Sequence, residues 1–476
     1  MPSLELKSLK TLSKIFDDDF KYKIAFHDPG GNTQISYGRL RSWVHQCAEE
    51  LIRFSDTKER KVLIFLDSGL VFVTVFYACL LAARTPILLN TKLKDELKSL
   101  DSLDSVILTD KKNSLSIEKY MNINKNRVLV IDLQENPDLV SEYEYPEFHP
   151  DDRMAYLFTS GSSGKAKLVP KTFANLMTEV RYLKGLLTAT EEDIYLPLVP
   201  SFHIYGLLYT VLLPLYTGSG IRLDIPFSPL NILEDGMLNK TTMVIANPSH
   251  YSAMSSFLDH CKEKDFSRIR YCISSTMPVD QDIIIKMYEM LNIRLIEFYG
   301  STETGGIAYR KFYKAKTWKF FPQIKWKLDT NELMVSSPMV SSDESRDETS
   351  EVWHSTGDLV NYHEETGGFS LLGRMNQIVK VAGNRVSCLE VAKVIREIPD
   401  VQDVVVMGVP SKTIAGEELL AYLVTENEAG MIKKVKQFCR SKLPDFKVPS
   451  RFMIVPNIEK GANGKVLFRK LPVPRD

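Results

Sequence analysis

Thr159-Ser160-Gly161-Ser162-Ser163-Gly164-Lys165-Ala166-Lys167 is the stretch around which this chain is organised. The apolar run Met154-Ala155-Tyr156-Leu157-Phe158 leads into it as a buried strand would. Three serines and two glycines follow, and small residues let backbone N–H groups and hydroxyls close around an anion. Lys165 and Lys167 put cations at the exit. The composition is that of a loop that holds polyphosphate. It is not a Walker A loop, because Thr159 stands where that motif has its first glycine, and Ala166 follows Lys165 where Ser or Thr would hold magnesium. A Ser/Gly-rich loop is commonly only a flexible connection. The motifs further along the chain decide between the two readings.

The chain has 476 residues, of which 44% are hydrophobic and 25% charged, the mix of a globular protein with more than one core. Its 60 basic and 60 acidic residues balance, which gives no reason to expect nucleic acid or an anionic membrane as partner. Six cysteines are scattered without CxxC pairs and read as reduced structural thiols of a cytoplasmic protein. The N-terminal residues lack a signal-peptide core. Gly69 to Ala83, bounded by Asp67 and Arg84, falls short of the roughly twenty apolar residues that span a bilayer and is expected to be a buried helix.

Along the first 150 residues helical and strand patterns alternate. A helix is predicted to open at Tyr37-Gly38-Arg39-Leu40, and strands at Val62–Leu66, Ser105–Leu108 and Arg127–Ile131. Such alternation implies layered α/β sheets. Val404–Pro410 and Gly416–Val424 read as two strands of a smaller C-terminal α+β domain. Ser341 to Ser350 is a polar, acidic run and reads as an exposed loop.

Two later stretches carry chemistry on their own residues. Tyr271-Cys272-Ile273-Ser274-Ser275-Thr276-Met277-Pro278 is an apolar strand that ends in small polar residues, at the carboxyl end where α/β sheets bind ligands. In Phe298-Tyr299-Gly300-Ser301-Thr302-Glu303-Thr304-Gly305-Gly306, Tyr299 offers a flat face for a purine and Gly300 admits close backbone approach. Thr302 can hydrogen-bond phosphate, and Glu303 is a hard oxygen ligand suited to Mg²⁺. His203, in Phe202-His203-Ile204-Tyr205-Gly206, Asp358 in a turn, and Lys465 near the end would by themselves pass for a satisfied core histidine, an Asx turn and a solvated charge.

Taken in order, these motifs resemble those of the adenylate-forming superfamily, which includes acyl-CoA synthetases, luciferases and peptide-synthetase adenylation domains. The resemblance runs from about residue 25 to 470, with Ala166 and Leu168 where the family loop usually has Pro and Gly. It implies a large N-terminal domain, 1–373, and a small mobile C-terminal domain, 374–476, hinged at 374–376. Asn376 stands at the pivot, where relatives carry Asp or Lys.

It also implies roles. Thr159, Ser160, Gly161, Ser162, Ser163, Gly164 and Lys167 would hold ATP phosphates. Ser275, Thr276, Met277, Tyr299, Gly300 and Ser301 would hold the adenylate. Asp358 would accept the ribose hydroxyls, with Arg374 at the ribose and phosphate end. Lys465, Thr302, His203, and Glu303 with Mg²⁺ would be catalytic. His203, Tyr205, Gly206, Gly300, Gly305 and Gly306 would form the acyl pocket, and Gly383 would line a pantetheine tunnel. Phe202-His203-Ile204-Tyr205 is similar to the aryl-acid ligases that activate hydroxycinnamates, which favours an aromatic or medium-chain apolar acid. The implied activity is AMP-forming carboxylate–thiol ligation, with coenzyme A as acceptor or, alternatively, a carrier protein's phosphopantetheine. From another class, the same motifs would suit a degenerate nucleotide-binding scaffold.

Overall fold

The computed structural model describes all residues except 1–6, 29–33, 55–60, 68, 91–104, 121–126, 134–143, 161–165, 224–227, 235–239, 262, 312–316, 342–352, 375–377, 382–383, 412–416, 461–465, 467–469 and 473–476. The chain divides into two compact units, Met1–Ala315 with Ser337–Val352, and Lys316–Ser336 with Trp353–Asp476.

The first unit contains two large sheets. One runs in the order Ala166–Thr172, Arg153–Ser160, Thr85–Leu88, Lys61–Phe65, Val106–Thr109, Val128–Val130. Its pairs are parallel except the first, where Ala166–Thr172 turns back antiparallel on Arg153–Ser160. Thr85–Leu88, Lys61–Phe65 and Val106–Thr109, the inner parallel strands, are short apolar runs buried but for their first residues, as internal parallel strands are. The other sheet sets Leu295–Ser301, Tyr271–Ser274, Met243–Ala246, Ile194–Pro197, Gly220–Arg222 and Ile24–His27 side by side and parallel. Gly305–Lys311 folds back antiparallel on Leu295–Ser301.

Helices cover these sheets according to their patterns. Tyr37–Phe54 buries Leu40, Val44, Cys47, Ala48 and Leu51, the three-and-four spacing of one helical face. Leu70–Leu81 is apolar all round and buried from Phe72 onward, as the sequence predicts for a core helix. Phe173–Leu187 starts from a capping box, in which the Thr172 side chain accepts from Asn175 N–H and the Asn175 side chain accepts from Thr172 N–H. Helices Pro248–Ser255 and Gln281–Leu291 pack a core of Val244, Tyr251, Met254, Cys272, Ile284, Met287 and Leu295.

In the second unit Lys325–Asp329, Glu332–Ser336, His354–His363 and Gly368–Arg374 form an antiparallel sheet. Ile378–Val381 and Asn384–Ser387 form a hairpin. Asp403–Pro410, Glu417–Val424 and Arg451–Ile454 make a further sheet, and the helices Cys388–Arg396 and Met431–Lys442 share its core through Val391, Ile395, Val435 and Cys439. The fold is therefore α/β with a smaller α+β part, as the sequence predicts.

All six cysteines are free and buried. Among the described residues no helix is long and apolar enough to cross a membrane.

Candidate active site

In the first unit the candidate residues gather at the carboxyl ends of the parallel strands, where an open α/β sheet exposes backbone groups. Strand Leu295–Ser301 delivers Tyr299, half-buried, and Gly300, exposed. Its register with Gly305–Lys311 shifts between Tyr299 and Gly300, after which Gly300 faces Gly306 and Ser301 faces Gly305. Thr302, Glu303 and Thr304 therefore make a tight turn. Ser301 N–H donates to Thr304 Oγ1 (3.0 Å), and Thr304 N–H donates back to Ser301 Oγ (3.2 Å).

This turn is held from beneath by buried charges that lie on no motif. The Lys171 ammonium, 1% exposed, donates to the carbonyl oxygens of Glu303 (3.2 Å) and Met339 (2.9 Å). Ser341 N–H donates to the same Glu303 oxygen (2.7 Å). Gly306 N–H donates to Glu179 Oε1 (2.9 Å), and Asn175 Nδ2 donates to Pro338 O (2.8 Å). Burial pushes the Lys171 ammonium down and the Glu179 carboxyl up from their ordinary values, each opposed by the other's charge. No described group hydrogen-bonds the Glu303 carboxylate. A single half-buried carboxylate fits Mg²⁺, which takes one or two protein carboxylates and completes its shell with substrate phosphates and water.

The loop after Tyr271–Ser274 is tied to the same strand at two points. Ser275 Oγ donates to Phe298 O (2.9 Å), and Val279 N–H donates to Glu297 Oε1 (2.8 Å). Glu297 is in turn fixed by Arg310 Nε (2.6 Å). Between these ties, Thr276 sits at φ 79°, a left-handed conformation that a β-branched residue adopts only when its surroundings impose it. Met277 is exposed.

His203 stands just before the turn Ile204–Gly206, with its ring edge-on to Phe202 at 4.7 Å. Tyr205 is buried, and its hydroxyl points at the carbonyl oxygens of Ala246 (2.9 Å) and Ile273 (2.7 Å). From its ring a row of aromatics runs through Tyr209 (5.2 Å) to Phe298 (5.1 Å), the residue before Tyr299. A side chain on Gly206 would start 1.9 Å from Pro200 O, so this helix packs directly on main chain. The next turn, Leu207–Leu212, is a π-helix, a form frequent near functional sites.

The stretch expected to hold phosphate connects the antiparallel strands Arg153–Ser160 and Ala166–Thr172, where Thr159 faces Lys167 and Ser160 faces Ala166. Lys167 is exposed. Gly161, Ser162, Ser163 and Gly164 lie outside the described residues, as do Asn376, Gly383 and Lys465.

In the second unit Asp358 and Arg374 stand opposite each other on adjacent strands and form an ion pair, Nε to Oδ1 3.0 Å. The preceding bend is held by Glu332, whose Oε1 accepts from Gly357 N–H (3.1 Å) and Ser355 Oγ. Lys460 and Val466 form an isolated antiparallel bridge on either side of 461–465.

Lys171, Glu179 and Glu297 escape a reading by motif. The available signal is a carboxylate in an apolar stripe. Glu179 shares the buried face of its helix with Leu176, Val180 and Leu183.

A family model described as AMP-binding enzyme matches residues 17–356, and one described as AMP-binding enzyme C-terminal domain matches 390–465. This chain belongs to the AMP-binding enzyme family. Among its relatives, the oxalate–CoA ligase of Arabidopsis thaliana is 25% identical over 505 residues, covering 97% of this chain and 96% of that protein. The 2-succinylbenzoate–CoA ligase of Bacillus subtilis is 27% identical over 464 residues, covering 92% of each. A solved structure of the B. subtilis o-succinylbenzoate CoA synthetase with its acyl-adenylate intermediate matches with a TM-score of 0.84 at 24% identity, covering 99% of each chain. The same enzyme with ATP and magnesium ion matches at 0.83 and 24%, covering 98% of this chain and 100% of that one.

Proposed function

We propose that this chain joins an aryl or medium-chain apolar carboxylic acid to coenzyme A through an acyl-adenylate. The chain is an acid–thiol ligase of the AMP-forming acyl-CoA synthetase type. The observation that carries the acyl-adenylate reading is the braced Tyr299–Gly306 turn. It presents the Glu303 carboxylate at the carboxyl ends of the parallel strands, beside the tethered loop Ser275–Val279.

In the first half-reaction a carboxylate oxygen attacks the α-phosphorus of ATP, the bond to the β-phosphate oxygen breaks, and pyrophosphate leaves. Bound Mg²⁺ would draw charge from those phosphates. Glu303 would hold it, with Thr302 and the hydroxyls from Thr159 to Ser163 donating to phosphate oxygens. His203 would orient the acid, an entropic contribution. Tyr299 and the loop Ser275–Met277 would bracket the adenine, and Asp358 with Arg374 the ribose end. In the second half-reaction a thiolate attacks the acyl carbon and AMP leaves. The roles of Lys465 in the first step and Gly383 in the second rest on their motifs. The row Tyr205, Tyr209, Phe298 supports an aromatic or apolar acid, and six free, buried cysteines suit a reducing cytoplasm.

The deciding experiment measures pyrophosphate release over a panel of acids, with coenzyme A supplied and withheld. Release with an aryl or medium-chain acid, and thioester only when coenzyme A is present, is the expected result. Thioester formed only on a carrier protein would overturn the choice of acceptor. No release with any acid, and no thermal stabilisation by Mg-ATP, would point to a scaffold.

A further inference from the structure

The turn that carries Glu303 is gripped at two main-chain points by charges from one neighbouring segment. Lys171 stands at the end of the strand that leaves the phosphate loop, one residue before the helix cap Thr172. Its ammonium reaches the carbonyl oxygen of Glu303 and that of Met339. Two turns along the following helix, Glu179 accepts from Gly306 N–H through Oε1, while its Oε2 lies 2.7 Å from where a side chain on Gly305 would begin. Ser341 N–H fills the remaining side of the Glu303 oxygen. Carbonyl and amide on either side of Thr304 are thus fixed together.

Burying an ammonium and a carboxylate is unfavourable unless both are paired and hydrogen-bonded. Apolar residues of similar volume often serve stability as well. They cannot donate to the Glu303 oxygen or accept from Gly306. What the charges add here is direction.

We propose that Lys171 and Glu179 are positioning residues for adenylation, fixing the Glu303 turn relative to the strand that leaves the phosphate loop. The inference rests on Glu303 as the magnesium-holding carboxylate. It adds that the strand Ala166–Thr172 and the Glu303 turn are registered through one buried ammonium. A displaced carboxylate would weaken magnesium and slow the phosphoryl step, leaving acid recognition alone. Small misplacements of this kind can cost about 10²-fold in rate.

The test compares Lys171→Met, Lys171→Arg, Glu179→Met and Glu303→Gln with the native chain. It follows the magnesium dependence of pyrophosphate release, the KM for the acid, and amide exchange at Gly306 and Ser341. The expected result has four parts. Lys171→Met and Glu179→Met raise the half-saturating magnesium concentration at least several-fold and lower kcat by about 10²-fold. Their acid KM stays within about twofold. Exchange quickens at Gly306 and Ser341. Lys171→Arg recovers part of the rate. A lowered melting temperature with unchanged magnesium dependence in both Lys171→Met and Glu179→Met would overturn the proposal and leave a packing role. If Lys171→Met does not fold, Glu179→Met, which keeps a side chain of similar length but cannot accept from Gly306, decides alone. Failure of the underlying reading looks different: Glu303→Gln itself would titrate magnesium like the native chain, and the proposal would fall with it.

Discussion

Gly305 places its carbonyl oxygen 2.2 Å from the point where a side chain on Gly300 would begin. The turn between them therefore closes main chain on main chain. Gly300→Ala is expected to open it at a cost of about 1–3 kcal/mol, the range for overpacked sites. Pyrophosphate release should fall together with the melting temperature. Native values of both would show that the turn yields freely.

Glu303→Gln makes a contrasting case, because the side chain is half-buried and no described group hydrogen-bonds its carboxylate. The fold should persist while adenylation falls by about 10²–10³-fold, the usual effect of losing one charge-stabilising group. Pyrophosphate release from a variant with unchanged melting temperature provides the check. Near-native release would refute the magnesium role.

For Tyr205 the two backbone carbonyls matter. Tyr205→Phe removes this donor from Ala246 O, while Ile273 O keeps the Tyr251 hydroxyl (2.8 Å), and an unsatisfied buried group costs about 1–3 kcal/mol. If the ring also lines the acyl pocket, Tyr205→Ala should reorder the acids in a panel more than it changes the affinity for ATP. A uniform loss across the panel, with lowered thermal stability, would indicate packing alone.

His45 gives a pH effect with a definite sign. Burial, assisted by the Arg41 charge, pushes its imidazole from the ordinary 6.5 down to about 4. A base held below its unfolded value contributes stability that is present above pH 6.5 and lost as pH falls toward 4. His45→Gln should accordingly lose less melting temperature than the native chain between those pH values. Parallel curves would exclude His45 as a source of acid sensitivity.

The two half-reactions should separate by mutation. By their resemblance to family motifs, Asn463-Gly464-Lys465-Val466 would assign Lys465 to adenylation, and the glycine-centred Val381–Val386 stretch would assign Gly383 to the thiol step. Lys465→Ala is expected to block acyl-adenylate formation yet still convert supplied acyl-adenylate to thioester. Gly383→Leu should do the reverse. Equal loss of both half-reactions in both variants would assign the two residues to one shared step.

Much of the first unit is legible in sequence because local apolar runs set it. Val62–Leu66, Met154–Phe158 and the Gly69–Ala83 stretch fold as strand, strand and core helix, since each is apolar over the length that its element needs. Tyr299 to Gly306 is legible for another reason: its glycines and hydroxyls close a turn within eight residues. Lys171 and Glu179 are not legible. Their partners lie 132 and 127 residues away, and a charge whose partner is that remote looks like a solvated one. The same holds for Glu332, whose carboxylate accepts from Gly357 N–H and Ser355 Oγ, 25 and 23 residues away. Nothing local announces that 325–336 belongs with the C-terminal sheet.

That sheet has a consequence for anyone who takes the protein apart. The chain leaves the first unit after Ala315, re-enters it after Ser336 and leaves again after Val352. No single scission yields two complete halves. During synthesis, Lys325–Ser336 emerges from the ribosome before the partners that will flank it, and must wait for His354–His363 to arrive. A clone that begins at Arg374 would carry one end of the Asp358 ion pair and none of the strands that precede it. Separable pieces of this enzyme would have to be stitched from discontinuous segments, with Lys316–Ser336 grafted onto the C-terminal coding sequence.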